Sequence, residues 1–326
     1  MSLHHFSQNF LILIAASALI TGCSDSDEQV GLAVDIDATL DTLVTAEWLS
    51  QNLDDPDLVV LDCTVLVEPD ENGSVRVVSG RANYEAGHIP SAGFADLMGD
   101  LSDSDSPLRF AMPTPEQFSA AMSALGVGDD SRVVLYSSNN SAWAARVWWM
   151  LRWVGFDRAA LLDGGLSAWT AEGRPLSTEP ATPAEKVLTV ALRPQMIADR
   201  NEVLASIEDD AVSLIDAMPE AHYRGEMTMY DRPGHIPGAS NIPAFALHDE
   251  SGHYRPHDEL AAIFDDDRDS RAITYCGGGI AASSNAFVMT RLGFKNVAVY
   301  TASLQEWAAD PANPMEIAPH PDLTGK

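Results

Sequence analysis

Residues 271–291 read RAITYCGGGIAASSNAFVMTR. The run AITY is short and apolar, as a buried strand requires, and the stretch after the glycines carries a helical pattern. Between them stand Cys276 and three glycines, Gly277, Gly278 and Gly279. A strand that passes into a helix through a glycine-rich turn aims several backbone N–H groups at one point, and the helix amino terminus adds partial positive charge there. A thiol held at that point ionises more easily than a free one, and the thiolate is its reactive form. Cys276 is therefore the candidate nucleophile.

Working outward, the same pattern occurs earlier in the chain. RVVLYSSNNSAWAARVWWMLRWVGF at 132–156 parallels RAITYCGGGIAASSNAFVMTRLGF at 271–294, with Ser137 standing where Cys276 stands. LVVLDCT at 58–64 parallels VSLIDAM at 212–218, and GHIP occurs at 87–90 and again at 234–237. Each half alternates β-rich runs with amphipathic stretches, which predicts two α/β domains of one fold, each a mainly parallel sheet flanked by helices. The Pro and Thr cluster STEPATPAE at 177–185 sustains no hydrophobic period and reads as the linker. The expected domains are 42–180 and 190–318.

Residues 1–22 contain no Asp, Glu, Lys or Arg, and FLILIAASALI has the length of a signal-peptide core, short for a bilayer span. Thr21 and Gly22 before Cys23 resemble a bacterial lipoprotein processing box, which implies cleavage before Cys23, its acylation, and export to the cell envelope. Ser24 after that cysteine hints by the same resemblance at the periplasmic side of an outer membrane. The polar, acidic stretch over 23–41 then reads as a tether. With Cys23 lipidated, Cys63 and Cys276 are the cysteines that remain, too few for a disulfide scaffold.

Forty-eight acidic against 19 basic side chains give a formal charge of −29, which argues against nucleic acid as a partner. An anionic substrate must instead be drawn in by a few local arginines, whose guanidinium forks pair with oxyanions through two hydrogen bonds.

The ordered set of GHIP, ARVWWM at 145–150, LDGGLSAW at 162–169 and the Cys276 loop resembles the rhodanese superfamily, specifically its tandem-domain thiosulfate and 3-mercaptopyruvate sulfurtransferases. The resemblance implies a non-catalytic first domain and a catalytic second one. It implies a ping-pong reaction in which Cys276 takes a sulfane sulfur from thiosulfate or 3-mercaptopyruvate and passes it from a persulfide to a thiol or cyanide, with no metal or organic cofactor. Arg224 in HYRGE matches the family's substrate-binding arginine, and Arg232 in YDRPGH lies near a second one. Gly277, Gly278, Gly279, Ile280 and Ala281 are expected to line the substrate site. Asp62 matches an acidic position near the cleft, although capping of its strand end explains it equally well. Gly278 and Ala281 replace a serine and a threonine of the mercaptopyruvate-type loop, and Thr301-Ala302-Ser303 replaces the expected DGS.

His88 and His235 recur in both halves and are expected to hold a turn. His248, His253 and His257 are expected at the surface, and Trp148, Trp149 and Trp153 in packing. A phosphatase of similar fold needs an arginine six residues after the cysteine, where this chain has Ala282. The alternative reading is a lipid-anchored module that binds or senses sulfur species or a protein partner without catalysis.

Overall fold

The structure is a computed structural model that describes residues 43–70 and 75–318. The first half builds a five-stranded sheet from β1 (Leu43–Val44), β2 (Leu58–Asp62), β3 (Gly93–Phe94), β4 (Arg132–Tyr136) and β5 (Ala159–Leu162), in the order β1-β5-β4-β2-β3. The second half builds another from β6 (Ile197–Ala198), β7 (Val212–Asp216), β8 (Ser240–Asn241), β9 (Arg271–Tyr275) and β10 (Asn296–Tyr300), in the equivalent order β6-β10-β9-β7-β8. Every pairing within the two sheets is parallel. Central strands of such sheets are covered on both faces, so they read as continuous apolar runs, and RVVLY and RAITY are buried beyond their first residue. An antiparallel hairpin of Val65–Pro69 with Val75–Ser79 has no counterpart among the described residues of the second half.

The register repeats as faithfully as the order. Asp62 pairs with Tyr136 in the first sheet and Asp216 with Tyr275 in the second, so Ser137 and Cys276 leave their strands at the same point. The GHIP turns repeat too: His88 Nδ1 donates to the Tyr84 carbonyl and His235 Nδ1 to the Tyr223 carbonyl, each at 2.7 Å, with each imidazole stacked on that tyrosine. These histidines hold turns.

Two helices follow the two loops, α1 (Ser141–Trp153) and α2 (Ile280–Arg291). Both are buried on nearly every side, which a helix tolerates only at the centre of a larger core. They pack on each other, with Trp148 meeting Phe287 edge-on at 4.9 Å between ring centres, and the core is continuous from one half into the other. Trp148 and Trp149 are fully buried packing residues.

The linker has no regular structure over 180–193 but is laid against the first half. Lys186 N donates to the Ser123 carbonyl at 3.2 Å, and Thr189 is held by Asp129 through both its N–H and its hydroxyl. Of the histidines expected at the surface, His257 is exposed and His253 keeps 41% of its side chain exposed while its Nδ1 lies 3.1 Å from Asp163 Oδ2 of the first half; His248 is half-buried there, its Nε2 2.7 Å from Ser141 Oγ. The expected leader and tether, Cys23 included, lie outside the described residues.

Trp148→Ala removes a fully buried tryptophan from the contact of the helix pair and is expected to destabilise the protein by about 3–5 kcal/mol, measured by urea unfolding. A loss under about 1 kcal/mol would contradict this account of the core.

Candidate functional site

Cys276 is the first residue after β9, and 2% of its surface is exposed. It is a free thiol, as is Cys63. Its N–H donates to Ser303 Oγ at 3.1 Å, and that hydroxyl donates onward to the Tyr300 carbonyl at 2.6 Å. Ser303 holds this bridge from a left-handed backbone, φ 54°. The carbonyls of Cys276 and Gly277 accept from the N–H groups of Leu304 and Gln305. The loop's carbonyls are thus turned toward the Ser303–Trp307 helix, and the N–H groups of Gly277, Gly278 and Gly279 find no acceptor among the described residues.

The three glycines have distinct causes. Gly279 adopts φ +78°, and a side chain there would stand 2.8 Å from the Thr301 carbonyl and 2.9 Å from Arg146 Nη1. A side chain at Gly277 would occupy the space of the Tyr230 hydroxyl, and one at Gly278 that of the Gln305 amide. Gln305 is itself fixed by the main chain of Arg109 from the first half, accepting from its N–H at 3.0 Å and donating to its carbonyl at 3.1 Å. Burial pushes the Tyr230 phenol well above its ordinary range, and a charge on Cys276 pushes it the same way, so the hydroxyl over Gly277 keeps its proton.

The equivalent loop of the first half is wired differently. Ser138 N–H is taken by Thr64 Oγ1 at 2.9 Å, and Asn140 Oδ1 caps α1 by accepting from Ala142 N–H at 3.0 Å. In the second half Gly279 offers no side-chain cap to α2, and the N–H of Gly277, the counterpart of Ser138, is unspent. A cavity of about 390 Å³ faces the first loop, lined by Ser137, Asn140, Gly164 and His248 among others. Its wall holds no thiol.

The arginines singled out in the sequence are both engaged elsewhere in this state. Arg224 donates through Nε to Glu226 at 2.8 Å and pairs through Nη1 with Glu220, and the Glu226 carboxylate raises its already high pKa. Arg232 donates to four carbonyls, those of Trp307, Ala308, Asp310 and Asn313, at 2.7–3.0 Å. This fixes the chain after the Ser303–Trp307 helix and leaves Arg232 little capacity for an oxyanion. Ile280 and Ala281 open α2 immediately beyond the loop.

Asp62 is 1% exposed and accepts from Thr64 N–H at 2.8 Å, and burial raises its pKa. Asp216 does the same with Met218 N–H at 2.8 Å, and burial pushes its carboxyl up to about 7. The shared geometry gives both carboxylates the strand-end capping role.

Comparison with known proteins identifies this duplicated unit. The family description of the rhodanese-like domain matches residues 45–172 and 199–310. The chain belongs to the rhodanese family. The 3-mercaptopyruvate sulfurtransferase of Escherichia coli strain K12 is 34% identical over 282 residues, spanning 84% of this chain and 97% of that protein. A thiosulfate/3-mercaptopyruvate sulfurtransferase 2 of Arabidopsis thaliana is 33% identical over 305 residues, 85% of this chain and 87% of that one. The crystal structure of SseA from Escherichia coli, described as a 3-mercaptopyruvate sulfotransferase with the rhodanese fold, superposes with a TM-score of 0.71 at 33% identity, covering 80% of this chain and 98% of its own.

Tyr230 and Gln305, two neighbours of the rhodanese loop, escaped sequence reading, and two more, Ser303 and Arg146, were quoted within motifs but given no role. Ser303 sits within the Thr301-Ala302-Ser303 departure, and Arg146 is the single charge in the run SAWAARVWWML, so a signal existed for both. Tyr230 and Gln305 reach the loop only through the tertiary fold.

Asp216 carries a pH prediction. The unfolded carboxyl releases its proton near 3.8 and the folded one near 7, so between those values the folded state binds the extra proton and stability falls as pH rises. Above about pH 7 the loss is complete. Asp216→Asn is expected to flatten this part of the profile, read as a smaller decrease in urea midpoint than wild type between about pH 4.5 and pH 7.5. Parallel profiles would place the titration elsewhere.

Proposed function

We propose that this rhodanese is a sulfurtransferase that moves a sulfane sulfur from thiosulfate or 3-mercaptopyruvate to a thiol or cyanide through a persulfide on Cys276. The observation that carries the reading is the contrast between the two loops. One presents a thiol to unspent N–H groups at an uncapped helix start, and the other presents a hydroxyl in a loop whose amides are partly committed. Relatives named as 3-mercaptopyruvate or thiosulfate sulfurtransferases, spanning most of the chain, support the same reaction class.

In the proposed reaction the Cys276 thiolate attacks the outer sulfur of the donor. A sulfur–sulfur bond forms at Cys276 and the donor's bond to that sulfur breaks: sulfite leaves thiosulfate with the bonding pair, whereas 3-mercaptopyruvate leaves as the enolate, which takes up the proton of the donor's own thiol to become pyruvate. The persulfide's terminal sulfur carries the negative charge until an acceptor takes it. Main-chain N–H groups and the start of a twelve-residue helix favour that charge in both half-reactions. The Tyr230 hydroxyl stands against Gly277, next to a thiol with 2% of its surface exposed. The closed site is also the feature that the binding-module reading draws on, and turnover separates the two.

Arg224 is the proposed partner of the donor's sulfonate or carboxylate, exchanging Glu226 for substrate. Thiocyanate formation from cyanide, with each donor in turn, tests the scheme. Cys276→Ser is expected to abolish turnover with both donors, and Arg224→Ala to raise the donor KM at least tenfold with little change in melting temperature. No turnover by the wild type with either donor would support the binding module. An unchanged KM would remove Arg224 from the site.

Envelope anchoring through lipid on Cys23 is part of the proposal and rests on the leader and its processing box. Expression of the full chain in a Gram-negative host, followed by fractionation, is expected to find the protein with membranes and to release it in a Cys23→Ala variant. A wild-type chain recovered in the soluble fraction would refute the anchor.

A further inference from the structure

Arg146 is the one charged side chain buried deep in α1, with 1% of its surface exposed. Its Nη2 donates to the Phe110 carbonyl at 3.0 Å and lies 3.1 Å from Met112 Sδ. Neither partner is charged. Nε and Nη1 are buried and have no hydrogen-bond partner among the described residues. A guanidinium removed from water with two donors unmet is costly, and a protein retains one where a missing partner or a charge offsets that cost. Its open edge faces the Cys276 loop: Nη1 stands 2.9 Å from the place a Gly279 side chain would fill, which only glycine leaves clear.

We propose that Arg146, supplied by the first half of the molecule, is a positioning residue for sulfur transfer, its unpaired Nε and Nη1 edge providing a fixed positive charge beneath the loop that favours anionic sulfur on Cys276. The inference deepens the sulfurtransferase reading and rests on Cys276 being the carrier. It also gives the first half a part in the chemistry, because its central helix delivers the cation although its own loop lacks the thiol. In a chain of net charge −29, the general field opposes an anion at the site, and a buried cation close by is screened far less than a surface one. Burial brings the Arg146 pKa down to about 10, so the group stays charged at neutral pH, and negative charge on Cys276 acts back to raise it.

No other ionisable group near the loop among the described residues is a buried cation, since Arg109 is exposed and its charge is screened. Tyr230 remains a neutral phenol, and Asp216 on the neighbouring strand is an acid. Arg109 touches Gln305 through its main chain and acts by its charge on Tyr230. Sulfur passes from donor to Cys276 without any change in net charge at the carrier, since thiolate becomes persulfide anion, so one cation serves both states.

Alkylation of Cys276 by iodoacetamide tests this without calling on turnover. The rate is followed by peptide mass mapping across pH on the full chain, for wild type, Arg146→Met, Arg146→Gln and Arg146→Lys. Both neutral variants are expected to react at pH 7 at least tenfold more slowly relative to their own alkaline plateau, and Arg146→Lys to recover most of that loss. A purely structural role would lower the melting temperature and leave the shape of the pH profile alone, so a folded neutral variant with the wild-type profile overturns the proposal. Should both neutral variants fail to fold, Met112→Glu replaces them by setting a carboxylate beside Nη2: the same slowing at pH 7 relative to its own plateau is expected, and a wild-type profile overturns the proposal. Parallel turnover measurements keep the two claims apart, because a wild type that alkylates as expected but transfers no sulfur refutes the function and not the electrostatics.

Discussion

Two helices without a wet face, Ser141–Trp153 and Ile280–Arg291, can be stable only by covering each other, and the rest of the structure follows from that constraint. Their contact, with Trp148 set edge-on to Phe287, joins two repeated sheets into one continuous core. It also fixes where the helices begin, and each begins at the loop that leaves the central strand of its sheet. A buried arginine on one helix is thereby brought to the loop that opens the other.

Duplication supplied two copies of the same loop position, and local wiring separates them. In both halves a buried aspartate caps the chain after one strand, and a tyrosine at the end of the next accepts the N–H of the GHIP isoleucine, Ile89 or Ile236. The scaffolding is therefore common property. The difference lies in a few donors: Thr64 and Asn140 consume N–H groups around Ser137, whereas around Cys276 glycines leave them open. Ser303, in a strained backbone, occupies the Cys276 N–H itself and fixes the residue's position, leaving the cradle to the amides that follow.

The two parallel sheets and the strand–glycine–helix loop at Cys276 were legible in the sequence because their signals are local: apolar runs repeated in both halves, and a glycine turn in the second. Side chains arriving from far along the chain were not. Tyr230 and Gln305 reach the loop only after the halves close, and nothing in their own neighbourhoods marks them. Arg224 and Arg232 were read as anion forks from their motifs. A fork binds whichever acceptors the fold brings near, and in so acidic a chain Glu220 and Glu226 compete for the first, while the carbonyls beyond Trp307 claim the second. His248 and His253 lacked ligand spacing and read as surface residues; their partners, Ser141 and Asp163, lie in the other half, beyond the reach of any local pattern.

The central claim is that Cys276 carries sulfur as an anion held by main-chain amides and a buried cation. Intact-mass and peptide analysis of the protein after brief exposure to thiosulfate or 3-mercaptopyruvate, with no acceptor present, tests it most directly. The account predicts the mass of a single added sulfur atom, located on Cys276 and discharged when cyanide is supplied. No added sulfur with either donor, or sulfur located on Cys63, would contradict it.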